Sequence, residues 1–166
     1  MMMDILLEEI TSGLPEARQF WRIFIRLVLA MVVGAVVGVQ RERSGKAAGV
    51  RTHMLVALGA ALFVIGPMEF GMVESDLSRV IQGLVTGIGF LGAGAILKLQ
   101  DKREIEGLTT AAGIWMTAAM GLAAGLGRFG LALISVIFAW FVLAVVKKTE
   151  RWLNRDIPGN NEESDH

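Results

Sequence analysis

The side chains best suited to chemistry sit in one stretch, Gly38-Val39-Gln40-Arg41-Glu42-Arg43-Ser44-Gly45-Lys46-Ala47-Ala48-Gly49-Val50-Arg51-Thr52-His53. Guanidinium groups and backbone N–H groups beside glycines suit phosphate oxygens, whether of lipid head groups or of a nucleotide. Glu42 can pair with Arg43, Lys46 or Arg51, while His53 is either a group that titrates near neutrality or an ordinary interfacial donor. Gly45-Lys46 is not a Walker A loop, because the spacing and the following Ser/Thr are missing. A basic loop is also what membrane topology alone demands, so anion binding and simple retention on the cytoplasmic side both stand as readings. Arg41, Glu42, Arg51, Thr52 and His53 are the candidate functional residues of this loop.

Two further segments offer packing surfaces or a polar path. In residues 82–95, at about 100° per residue, Gly83, Thr86, Gly87, Ala93 and Gly94 share one helix face, and Gly89 and Gly92 fall opposite. Such small residues let helix backbones approach closely. The alternative is a weakened helix whose freed carbonyls or amides hold an ion. The second segment opens Glu106-Gly107-Leu108-Thr109-Thr110 and continues with Gly113, Thr117, Gly121 and Ala124 at helical spacing. Thr109 or Thr110 can cap that helix, and the hydroxyl stripe can bond across helices or line a path. The candidates for packing or a path are therefore Gly83, Thr86, Gly87, Gly89, Gly92, Gly94, Thr109, Thr110, Gly113 and Thr117. Gly83-Leu84-x-Thr86-x-x-Gly89 also recurs as Gly107-Leu108-x-Thr110-x-x-Gly113, the pattern an inverted repeat leaves.

The elements that must position these residues follow from composition. The 166 residues carry 16 Lys+Arg against 16 Asp+Glu, two His, no Cys and 54% hydrophobic residues. Without Cys there is no disulfide scaffold, Cys-ligated zinc or thiol nucleophile, and zero net charge removes the basic footprint of a nucleic-acid binder. No Ser/His/Asp constellation or buried acid pair is visible, so no catalytic residue, metal ligand set or cofactor is expected. A bilayer core needs roughly 20 apolar residues of helix, and five segments come close: 23–39, 52–68, 80–97, 108–126 and 129–146. Arg26 interrupts the first but lies near its end, where it can snorkel beside Trp21 and Arg22. Pro15 suits the first turn of that helix.

Eleven bases fall on one side (Arg41, Arg43, Lys46, Arg51, Lys98, Lys102, Arg103, Lys147, Lys148, Arg151 and Arg155) and five on the other (Arg18, Arg22, Arg26, Arg79 and Arg128). Bases are retained in the cytoplasm, so the expectation is an all-α, polytopic membrane protein with five transmembrane helices, N-out and C-in. Residues 1–21 form a periplasmic or interfacial N-terminus, 22–146 the five-helix domain and 147–166 a cytoplasmic tail. The N-terminus lacks the basic region of a cleaved signal peptide and is either a short interfacial helix or a loose end. In the tail, Trp152 and Leu153 can lie at the interface. No Asp or Glu falls inside a span, whereas a cation path normally shows one.

Four stretches in order resemble the MgtC/SapB family of bacterial inner-membrane proteins: Gly34-x-x-x-Gly38-x-Gln40-Arg41-Glu42; Ala48-Gly49-Val50-Arg51-Thr52-His53-Met54-Leu55-Val56-x-Leu58-Gly59; Gly87-Ile88-Gly89-Phe90-Leu91-Gly92-Ala93-Gly94; and Gly107-Leu108-Thr109-Thr110-Ala111-Ala112-x-x-Trp115. In that family a Glu often stands where this chain has Gln40, and some members append a soluble domain. The chain resembles the short, membrane-only members. The resemblance implies a non-enzymatic protein of the inner membrane, linked to adaptation to low magnesium and, in some pathogens, to survival inside macrophages. One reading of the family is restraint of a membrane partner such as ATP synthase; the other is transport of magnesium or another solute. The missing intramembrane carboxylates favour a regulator that packs against itself, as a dimer or larger homo-oligomer, and against a partner in the lipid bilayer.

Overall fold

The computed structural model describes residues 1–12, 15–99 and 104–146. Helix α1 (Met2–Ser12) makes the acidic N-terminal segment a helix rather than a loose end, with Ile5, Leu6 and Leu7 exposed. Helix α2 (Ala17–Arg43) starts just after Pro15, which lies outside it. Its 27 residues extend about 40 Å, beyond the roughly 30 Å hydrocarbon core, so the bases at its ends reach the interfaces. Helices α3 (Val50–Glu69), α4 (Glu74–Gly94) and α5 (Leu108–Gly125) follow. Helix α6 (Phe129–Phe141) closes on a π-helical turn, Val142–Val146. Among the described residues four helices are long and apolar enough to span a membrane, and Phe129–Ala144 is a shorter apolar helix. The tail 147–166, with Trp152 and Leu153, lies outside the described residues.

The stretch after the third span departs from expectation. The helix stops at Gly94 instead of running to Leu97, and Leu97–Leu99 (β1) pairs antiparallel with Glu104–Glu106 (β2) in the register Leu97↔Glu106, Lys98↔Ile105, Leu99↔Glu104. Ala95 N–H already bonds back to Leu91 and Gly92, which closes the helix. The apparent repeat is not structural either. Gly83 lies inside α4, whereas its counterpart Gly107 precedes α5 in a left-handed conformation, φ +94°.

Hydrogen bonds at both ends fix the up-and-down arrangement. At one end Gln19 bonds Glu69, and Arg26 Nη1 donates to Gly125 O at 3.1 Å. Arg26 therefore meets the carbonyl end of α5, where the helix dipole favours a cation, in addition to lying near the span's edge. At the other end Gln40 Nε2 donates to Leu143 O at 2.8 Å, and Arg41 Nη2 donates to Thr110 Oγ1.

Helix α5 is the most enclosed, with 56% of its apolar window buried against 17% for α4. The interior between α2, α3 and α5 is built from Ala30, Ala57, Ala61, Ala123 and Ala124 with Val33, Val37 and Met120. Lipid is as apolar as these side chains, so close backbone approach supplies the cohesion. It does so at two glycine pairs that grip α3 from opposite sides. A Cβ on Gly34 would lie 2.6 Å from His53 O, and one on Gly38 2.5 Å from Val50 Cα. From α5, a Cβ on Gly121 would lie 2.2 Å from Ala57 O, and one on Gly125 2.6 Å from Val64 Cγ2.

Candidate functional site

The loop residues do not form one surface. Arg51 and Thr52, in the first turn of α3, are exposed, whereas Arg41 is 3% exposed and His53 is fully buried. Two successive residues of a helix point about 100° apart, so Thr52 faces out while His53 turns between α2 and α5. His53 Nδ1 lies 2.9 Å from Gly49 O. A carbonyl only accepts, so Nδ1 carries the hydrogen. Nε2 is buried without a partner among the described residues and sits 3.5 Å from where a Cβ on Gly113 would be. Gly113 is thus the space into which the imidazole fits.

Glu42 is exposed, yet its Oε2 accepts the Val50 N–H at 3.0 Å. Since Gly49, which precedes α3, brings no side-chain cap, the carboxylate from the last turn of α2 takes that role and adds favourable charge at the helix start. Gly49 leaves room for it, because a Cβ there would meet Glu42 Oε2 at 2.7 Å. Glu42→Ala is expected to cost about 1 kcal/mol, read as a lower melting temperature of the purified protein. An unchanged melt would show that the cap contributes nothing.

The Thr residues of α5 divide in the same manner. Thr109 is exposed, Thr110 is buried and holds Arg41, and Thr117 is buried with its Oγ1 donating to Gly113 O at 2.8 Å. Arg41, Thr110, His53 and Thr117 are the buried polar residues of the described chain. They form a polar seam between α2, α3 and α5. It opens at the Arg41 end into a cavity of about 590 Å³ lined by Arg41, Lys46, Glu106 and Gly107 to Thr110, among others. Lys46, Glu106 and Gly107 belong to this wall although none of them stood among the candidate residues. Lys46 looked like one more base of a basic loop, and the signal for Gly107 was its place just before the threonines.

The glycines of α4 were expected to pack. Within this chain Gly83, Gly87, Gly89 and Gly94 have nothing within 4 Å of an added Cβ, and only Gly92 among the candidates on this helix touches a neighbour, Ala111 at 3.7 Å. The close contacts belong to the pairs on α2 and α5 instead. Gln82, Gly83, Thr86, Gly87 and Gly94 are all exposed, and Thr86 Oγ1 bonds its own helix at Gln82 O. Among the described residues no group of three His, Cys, Asp or Glu side chains comes together as a metal ligand set.

Apolar helices of spanning length, short connections and polar groups bonded to one another inside the bundle define a multi-pass membrane protein. The chain belongs to the MgtC family, whose model matches residues 27–152. It is similar to Protein SrpB of Synechococcus elongatus, 45% identical over 144 residues that cover 78% of this chain and 79% of SrpB. YhiD of Escherichia coli K12, named as a candidate magnesium transporter, is 40% identical over 80% of this chain and 64% of its own length. Protein MgtC of Salmonella typhimurium is 35% identical over 79% of this chain and 55% of its own. The chain thus spans less than two thirds of YhiD and of MgtC. No solved structure matches it.

Proposed function

We propose that the protein is a non-enzymatic component of the bacterial inner membrane, N-out and C-in, that acts by helix contact within the bilayer and regulates a membrane complex during adaptation to low magnesium or related stress. The observation that carries this reading is the open face of α4. Gln82 is exposed and forms no side-chain hydrogen bond with another described residue, and four glycines beside it have no neighbour. An amide facing lipid without a partner costs several kcal/mol, and glycine faces are what a second helix approaches closely. A further protein helix satisfies both. A second copy of this chain or a subunit of a complex such as ATP synthase supplies it.

The name of the Escherichia coli relative points to magnesium transport, and the polar seam is a route for it among the described residues. Arg41 stands at its mouth. At about 4 Å and an effective dielectric of about 20, a divalent cation is repelled by roughly 8 kcal/mol, which favours the contact reading.

The chain has no Cys, so single cysteines report cleanly. Thr86→Cys in native membranes is expected to crosslink to a second copy or to another membrane protein, and Ile134→Cys, on the exposed side of α6, is expected to do so far less. Equal, background-level crosslinking from both positions would overturn the reading. Purified protein in liposomes is expected to pass no magnesium, and a flux would restore the transporter.

A further inference from the structure

We infer that the cavity at the Arg41 end is a binding site for a phosphate group, formed by the Arg41 guanidinium, the Lys46 ammonium and the backbone N–H groups that open α5. Three independent features converge there. The first is the start of α5, which carries no side-chain cap. Its first backbone bond is Ala111 N–H to Gly107 O, so the N–H groups of Leu108, Thr109 and Thr110 have no acceptor within the helix. Such a helix start presents donors and a positive dipole end to an anion. Thr109 and Thr110 both line the cavity.

The second feature is Arg41 itself. It lines the same cavity, is 3% exposed, and among the described residues has a single side-chain hydrogen bond, from Nη2 to Thr110. Its Nε is buried with no partner among the described residues. A guanidinium has five donors in a planar fork that matches phosphate oxygens, and here one atom of that fork is committed. Among the described residues no carboxylate forms an ion pair with it: Glu42 is turned to Val50, and Glu106 pairs with neither Arg41 nor Lys46.

The third feature is the way the wall is held. Lys46 N–H bonds the Arg41 carbonyl at 3.2 Å, which folds the loop back over the arginine and places a second cation at the cavity. On the far side, a Cβ on Gly107 would lie 2.0 Å from Ala95 O. Only glycine permits the end of α4 to press against the start of α5 there, with φ at +94°. Glu106 also lines the cavity, so its carboxylate opposes an anion. Arg41, Lys46 and the helix start outweigh it.

The phosphate has two sources, a lipid head group of the adjoining leaflet or a soluble phosphate compound. Full-length protein in maltoside detergent is titrated calorimetrically with inorganic phosphate and pyrophosphate. In parallel, protein taken from phosphatidylglycerol nanodiscs is weighed by native mass spectrometry for retained lipid. Saturable phosphate or pyrophosphate binding supports the site with a soluble occupant, and retention of one phosphatidylglycerol per chain supports it with a lipid occupant. In either case Arg41→Lys, which keeps the charge but loses the fork, is expected to weaken binding about tenfold or more. Lys46→Ala is expected to weaken it a few-fold, and Glu106→Gln to tighten it. Lys46 and Glu106 are exposed, so these two variants decide the matter even if the buried arginine does not tolerate change. Absence of binding by every probe, or binding indifferent to all three substitutions, would overturn the proposal.

Discussion

Gly121→Ala is expected to lose about 3 kcal/mol of stability or more, from a single methyl group. The new Cβ would sit 2.2 Å from Ala57 O and 2.6 Å from Ala57 Cα. Both are backbone atoms of α3, so no side chain can rotate away and one helix must move. Overpacking of an ordinary core costs about 1 to 3 kcal/mol, and a backbone contact this short belongs at the upper end. Gly87→Ala is the control, since nothing lies within 4 Å of that position. It should melt like the parent, or slightly higher because alanine is the better helix former, while weakening any crosslink made through α4. Thermal unfolding of both purified variants checks the pair, and equal melting temperatures would contradict the packing described between α5 and α3.

The second large effect concerns a charge left without its partner. Thr110→Val keeps the shape but removes the hydroxyl that accepts from Arg41, and is expected to cost about 2 to 3 kcal/mol. Arg41→Met removes the group that needs a partner, so it should cost less, and the double substitution should be no worse than Thr110→Val alone. This order reverses the usual intuition that losing the charged residue is the graver change. It follows because breaking a buried polar pair from one side strands an ion, whereas replacing it by apolar groups does not. Denaturant titration of the three variants reads the order directly. A Thr110→Val protein as stable as the parent would mean that Arg41 finds other acceptors.

The helices were legible because a span must be long and apolar, a demand that leaves a mark in every stretch of the sequence. The tight link between α5 and α6 is marked as well, since only Gly127 and Arg128 separate the apolar runs 108–126 and 129–146. The strands after α4 were not, because three residues are too few to show a period of two. Glycine spacing was visible on three helices, but spacing does not say which helix faces it. Gly87 and Gly121 look alike in the sequence, and only the fold sets one against open space and the other against Ala57. Arg26 was expected to reach toward the interface; its bond is to the Gly125 carbonyl, a backbone acceptor that residue type does not announce. The site was legible in its members and not in its grouping. Arg41 and Thr110 were both candidates, 69 positions apart, but nothing in either segment joined them. His53 was placed with the exposed loop because its neighbours Arg51 and Thr52 are polar, although one step along a helix was enough to turn it inward.

The two glycine pairs that grip α3 also invert the familiar relation between chemistry and position. In a water-soluble domain the interior is recognised by hydropathy. Here Phe63, Phe90, Ile137 and Phe138 lie on the outside, and Ala57, Ala61 and Ala124 on the inside. Where the helices touch most closely, small size marks the inward side. Accepted change should therefore be lopsided: outward positions trade freely among bulky apolar residues, while inward ones drift only toward the smallest. Hydropathy finds the membrane in such a chain, but side-chain volume finds its centre.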